Sequence, residues 1–366
     1  MKYKCNNDLL AAACLVSVAL GATSTASWAD STDELFSKPV EVFVPNPSDM
    51  TDVETSTWEP PAPVDRDIFI CASFPTMQDP YWLAANYGIV TEARRLGVTL
   101  DILNAGSFKN LSTQVSQLND CAAKGADAVL VAPISAEGVS SAVRALSKAG
   151  IPVVNIIPRI ADGTDLAGRS TLDYYQVGVA SAQYLLEEIG DAEANVALFP
   201  GPPGADWAAR TVQGFESVIA GTNVNLVTTK FGNTDKSAQY NLIADTLNAT
   251  PDLDWVVSNA VGADAAVSAI SAAGLAGKVK IGSTYQTGPV REAILEGTIE
   301  WALNDNVAVM ASIGLDMAVK AISGDLDEGM EVWPVPQKLT IENADAIETV
   351  AGFAPEGYEP VFSVSP

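Results

Sequence analysis

The chain has 366 residues, enough for two ordinary α/β lobes with full cores, and 48% of them are hydrophobic against 18% charged. Its formal net charge of −25 argues against nucleic acid and anionic membrane surfaces, which both need clustered cations. There is no histidine at all, which removes Ser-His-Asp and Cys-His chemistry and leaves no usual zinc site.

The first residues read as an export signal. Lys2 and Lys4 give a basic start, residues 9–22 are apolar, and Ser27-Trp28-Ala29 fits a small-x-small cleavage site. An apolar run of about 14 residues is too short to cross roughly 30 Å of hydrocarbon, so export to the periplasm is expected over 1–29 rather than an anchor, with no membrane insertion after cleavage. Residues 30–65 follow as an acidic, Pro-rich extension, with nine Asp/Glu against Lys38. Such composition resists a packed core and predicts an extended arm or tether. Within it, residues 40–44 have the pattern of an edge strand.

From Asp67 the pattern changes to short apolar runs alternating with helical periods. Residues 68–72 predict a strand, 81–96 a helix stopped by Gly97, 98–103 a strand, and 112–124 a helix stopped by Gly125. Strands at 128–132 and 152–157 flank a helix at 137–149. The rhythm then restarts: helices are expected at 176–189, 207–220, 236–248, 263–273 and 289–295, with strands at 195–199, 223–229, 255–258 and 279–283. Two successive β-α-β units imply two doubly wound parallel-sheet lobes. Ligands in such sheets sit beyond the carboxyl ends of the strands, which singles out loops 74–82, 133–137, 157–164, 200–207, 232–235, 259–263 and 284–288.

Two cysteines lie beyond the signal, Cys71 and Cys121. In an exported chain they are a candidate disulfide, with two buried free thiols as the alternative. No Walker A, Gly-x-Ser-x-Gly or Gly-x-Gly-x-x-Gly string is present. No catalytic residue, metal site or cofactor is expected, and an enzyme is the weak reading.

The string 74–82, Phe-Pro-Thr-Met-Gln-Asp-Pro-Tyr-Trp, resembles the ribose-type periplasmic binding proteins, which place Asn/Asp-Pro and two aromatics at the opening of their first helix. Residues 124–133, 149–154 and 213–215 extend the resemblance over nearly all of 67–342. It implies a type I fold whose lobes are joined by a three-stranded hinge near Asp173, Asp305 and Trp333. Lobe I would then be 66–173 plus 306–333, and lobe II 174–305 plus 334–366 with the C-terminal tail. A narrower set is similar to the TorT-like family of periplasmic trimethylamine N-oxide sensors, which work with a TorS-like membrane histidine kinase. It comprises 79–88 with its Tyr-Trp-Leu-x-x-Asn-Tyr-Gly, residues 92–98, Cys71 with Cys121, residues 200–202, Tyr285, 343–345 and Gly352-Phe-x-Pro355. The longer acidic extension departs from that pattern.

Sugar-binding relatives grip hydroxyls with charged cleft residues. The matching positions here carry Ile157 or Pro158, Thr211, Gly262 and Thr284, although a slip of alignment would restore Arg159 or Arg210. Aromatics stand instead: Tyr81, Trp82, Trp207, Tyr285 and Tyr175. Several π-faces around one small space favour a methylated cationic nitrogen. Asn304 would supply a donor, and Asp305 or Asp79 a negative field. The expected ligand is trimethylamine N-oxide or a related small amine. The alternative is a receptor that feeds a sugar or other small polar solute to an ABC importer.

Overall fold

A computed structural model describes residues 34–46, 49–346 and 352–366; the expected export signal over 1–29 lies outside the described residues. Within them the alternation read from the sequence becomes two sheets flanked by helices. The first sheet holds β1 (Val40–Asn46), β2 (Asp49–Trp58), β3 (Phe69–Phe74), β4 (Thr99–Asn104), β5 (Ala128–Val131), β6 (Val153–Ile157) and β7 (Gly168–Thr171). The second holds β8 (Ala194–Phe199), β9 (Val224–Thr229), β10 (Trp255–Ser258), β11 (Lys280–Ser283) and β12 (Trp301–Asn304). Late in the chain, β13 (Met330–Pro334) returns to the first sheet, β14 (Gln337–Leu339) to the second, and β15 (Ser363–Val364) to the first again.

The central strands are fully buried on both faces, which is why β5, β6 and β10 read as continuous apolar runs instead of alternating ones. Their pairing is parallel, β4-β3-β5-β6-β7 in one sheet and β12-β11-β10-β8-β9 in the other. Helices α1 (Pro80–Leu96), α2 (Leu111–Ala123) and α3 (Ser140–Lys148) link strands of the first sheet. The second uses α4 (Tyr174–Ile189), α5 (Asp206–Ile219), α6 (Lys236–Ala249), α7 (Ala260–Ala272) and α8 (Gly288–Leu295), and α9 (Val307–Ser323) crosses back. Helix α9 is buried along most of its length, because it packs on α1 and beneath β5, β6 and β7 at once. Cys71 on β3 and Cys121 on α2 are joined in a disulfide, with Cα atoms 5.7 Å apart in the α2/α3 face of the core.

Two expectations need correction. The acidic extension is not a free arm: β1 pairs antiparallel with β13 at Val42–Pro334 and Phe43–Trp333, and β2 pairs with β1 as a hairpin. The edge strand is therefore β2, and residues 40–46 lie one strand inside it. Burial of Val42 and Trp58 and the edge-to-face contact of Phe43 with Trp333 hold the hairpin down despite its acidity. The tail, assigned from sequence to the second lobe, ends in β15 paired with β4 of the first sheet. Here too, a polar-looking segment is fixed by a few apolar anchors, with Tyr358 and Val361 packed on the first core.

Candidate functional site

The chain crosses between the sheets after β7, after β12 and after β13. At these crossings the carboxyl ends of strands from both sheets face one another and enclose a cavity of about 60 Å³.

Its first wall is built by a helix start. Asp79 caps α1, its carboxylate accepting from the Tyr81 N–H at 2.9 Å, and Pro80 occupies the first turn. This fixes Tyr81 and Trp82 at the mouth of β3. Trp82 packs edge-on against Phe74 and Tyr81, and tilted against Phe108 at 6.0 Å. The opposite wall comes from the second sheet: Tyr174 and Trp207 lie 6.0 Å apart, and Tyr285 meets Tyr81 edge-to-face at 5.3 Å. Gly201 is what lets the Trp207 indole lie where it does. Its φ is 137°, and a Cβ there would come within 2.9 Å of the ring.

Between these rings stand two carboxylates. Asp305, 1% exposed, accepts from the Tyr81 hydroxyl on Oδ2 at 2.7 Å, while its Oδ1 has no hydrogen-bond partner. Burial pushes Asp305 up to about 7, against the lowering effects of the Tyr81 hydrogen bond and then of its own backbone N–H. Burial also raises Asp79, opposed by its bond to the Tyr81 N–H. The phenols of Tyr81 and Tyr174 are raised by burial first and by Asp305 next; Tyr285 is raised by burial, then by Asp79. All three therefore remain hydroxyl donors at neutral pH. Thr211, Thr234 and Thr284 add hydroxyls, and Pro158, Leu172 and Val177 complete an apolar lining.

Tyr81, Trp82, Trp207, Tyr285, Asp305 and Asp79 are thus brought together, and two candidates are not. Asn304 is fully buried on β12 and spends its amide on Gln286 and Asn306, at 2.9 and 3.0 Å. It braces the left-handed turn at Asn306 beside Asp305 instead of reaching the cavity. Tyr175 points its hydroxyl at Ser217 on α5, 3.1 Å away, because successive helical residues diverge by about 100° and Tyr174 takes the inward position. Of the charged alternatives, Arg159 pairs with Glu331 and Asp162, and Arg210 with Asp173 at 2.8 Å. No Lys or Arg lines the cavity among the described residues. Phe108 was missed by the sequence reading. It sits in the loop after β4, and the rule that ligands gather at carboxyl ends of strands would have found it.

A two-sheet α/β fold with a ligand-sized cavity between the sheets defines a class of small-ligand binding proteins. The chain belongs to the periplasmic binding protein family, whose domain matches residues 70–326. It is 30% identical over 310 residues to periplasmic protein TorT of Escherichia coli (strain K12), covering 85% of this chain and 88% of that one. Among solved structures it is similar to an ABC transporter solute binding protein from Bradyrhizobium sp. BTAi1 with bound bis-tris. That match has 33% identity and a TM-score of 0.80, covering 89% of this chain and 98% of the other. It is also similar to the complex of the TorS sensor domain with TorT in the presence of TMAO, at 26% identity and a TM-score of 0.74, covering 81% of this chain and 100% of that one.

Proposed function

We propose that this chain is an exported periplasmic sensor that binds trimethylamine N-oxide, or a similar small methylated amine, between its lobes and reports it to a TorS-like membrane histidine kinase. The observation that carries this is the cavity wall: six aromatic rings and two carboxylates, with no basic side chain among the described lining residues. Such a wall attracts a methylated cationic nitrogen through the ring faces. The hydroxyls of Tyr174, Tyr285, Thr234 and Thr284 offer donors to an N-oxide oxygen, while that of Thr211 is spent on the Trp207 carbonyl at 2.9 Å. Size agrees as well. A cavity of about 60 Å³ is small, which suits a ligand of few heavy atoms. A ceiling near 1.5 kcal/mol per atom allows low-micromolar affinity at best. Because Tyr81 and Tyr285 come from opposite lobes and both line the cavity, a ligand that touches both walls favours the closed state, which is the signal a partner reads. The protein needs no catalytic group or cofactor for this, and the Bradyrhizobium relative is a solute binding protein.

A second reading is a receptor for an ABC importer. It is favoured by the likeness to the Bradyrhizobium solute binding protein, whose bis-tris is itself an amine carrying hydroxyls. Calorimetric titration with trimethylamine N-oxide, choline and ribose separates the two, followed by co-elution with a TorS-like sensor domain. Binding of ribose alone would sink the sensor reading.

A further inference from the structure

We propose that Asp305 selects the ligand by the state of its carboxyl group: as the acid it donates from Oδ1 to an amine N-oxide oxygen, and as the carboxylate it makes the same cavity a receptor for a fixed methylated ammonium. This rests on the reading that the cavity takes a small methylated amine.

The geometry divides the two oxygens of Asp305. Oδ2 is engaged by the Tyr81 hydroxyl at 2.7 Å and acts as an acceptor. Oδ1 is buried, has no partner, and belongs to a residue lining the cavity. With Oδ2 held by the Tyr81 hydroxyl, the neutral form that serves a ligand is the one with its proton on Oδ1. On a carboxylate the same oxygen is an uncompensated buried charge, a state that a cation would relieve. The groups facing it leave no other counter-charge: Asp79 and Tyr81 from α1, Tyr174 from α4 and Tyr285 from the loop after β11 are acidic or neutral. Arg210, the cation near the first crossing, is committed to Asp173. Burial places the titration of Asp305 at about 7, so both forms are populated near neutrality.

The opposing ligands carry opposite signs of linkage. An N-oxide that accepts the Asp305 proton binds best while Asp305 is protonated, and its affinity falls as pH rises above about 7, by up to about tenfold per unit. A fixed cation gains over the same interval.

The test is calorimetric titration of the full mature chain with trimethylamine N-oxide and with tetramethylammonium, between about pH 5 and pH 9. The wild type should lose N-oxide affinity and gain tetramethylammonium affinity with rising pH. Asp305→Asn keeps a donor but no charge. It should hold the N-oxide with a flat profile and lose most tetramethylammonium binding; a ligand-free melt checks its fold. Tyr81→Phe gives an independent arm. It removes the bond that lowers the Asp305 titration, so the midpoint of the N-oxide profile should move to higher pH. N-oxide binding with a flat or rising wild-type profile overturns the role of Asp305 alone. Failure of the N-oxide to bind at every pH overturns the reading of the site as well.

Discussion

The phenol of Tyr358 donates to Oδ1 of Asn86 at 2.7 Å, and this bond ties the end of the chain to the middle of α1. Asn86 is fully buried and also exchanges two bonds of 2.9 Å with the backbone of Val361. A few residues earlier, Phe353 is packed in the second core with the Arg291 guanidinium 5.9 Å from its ring. The tail thus holds both lobes. Asn86→Ala strips partners from Tyr358 and from both backbone groups of Val361. The expected loss is about 1–3 kcal/mol in urea unfolding, with Tyr358→Phe milder. A midpoint unchanged from wild type would show that the tail is not fastened there.

Helix α1 is fixed from its other side by a backbone contact. Gly88 abuts Ala308 of α9 so closely that a Cβ would fall 2.6 Å from the Ala308 carbonyl carbon and closer still to its oxygen. Neither helix can retreat, since α9 lies under three strands of the first sheet. Gly88→Ala is expected to cost about 1–3 kcal/mol by overpacking. Tyr81 and Trp82 open α1 and Asp305 precedes α9, so the same variant should weaken ligand binding. Full affinity in a destabilised Gly88→Ala would mean that the cavity is insulated from this contact.

Sequence alone carried the parallel sheets well because their strands are short apolar runs and their helices end at glycines such as Gly97, which is left-handed at φ 73°. It carried the aromatic wall because Asp79-Pro80 is a local helix-start signal. Other features rest on pairings across almost the whole chain. Phe43 and Trp333 are register partners 290 positions apart, and nothing in the polar stretch 49–57 announces a strand. Tyr175 and Asn304 failed for another reason: composition says which residue types suit a cleft, but helical phase and a neighbouring amide decide which side chain reaches it.

The Cys71–Cys121 disulfide closes a loop with a sequence separation of 50 residues. In the chain-entropy account such a cross-link is worth roughly 4 kcal/mol, by restricting the unfolded chain. Both residues are fully buried between β3 and α2. The double replacement Cys71→Ala, Cys121→Ala should lower the urea midpoint strongly and leave N-oxide affinity close to wild type, because neither residue lines the cavity. Equal stability of the oxidised and reduced wild type would contradict this account.

The acidic hairpin is anchored where the Trp58 indole donates to Oδ2 of Asp316 at 2.8 Å, with Lys320 lying 4.0 Å over the indole ring. Asp316 is buried beside Glu92, with Arg95 at 3.6 Å, and its Oδ1 is left without a hydrogen bond. Burial first, and Glu92 second, raise the Asp316 carboxyl well above its ordinary value, against the lowering effects of Trp58 and Arg95. The folded chain therefore keeps a proton on Asp316 that the unfolded chain releases near pH 4. Folding is favoured at the acid end, and that contribution is lost as pH rises from about 4 towards the raised folded value. Asp316→Asn keeps an acceptor for Trp58 and abolishes the titration. Its melting temperature should exceed that of wild type near pH 8, with the gap closing towards pH 4. Melting curves that run parallel at all pH values would show instead that Asp316 is ionised in the folded chain, held so by Arg95.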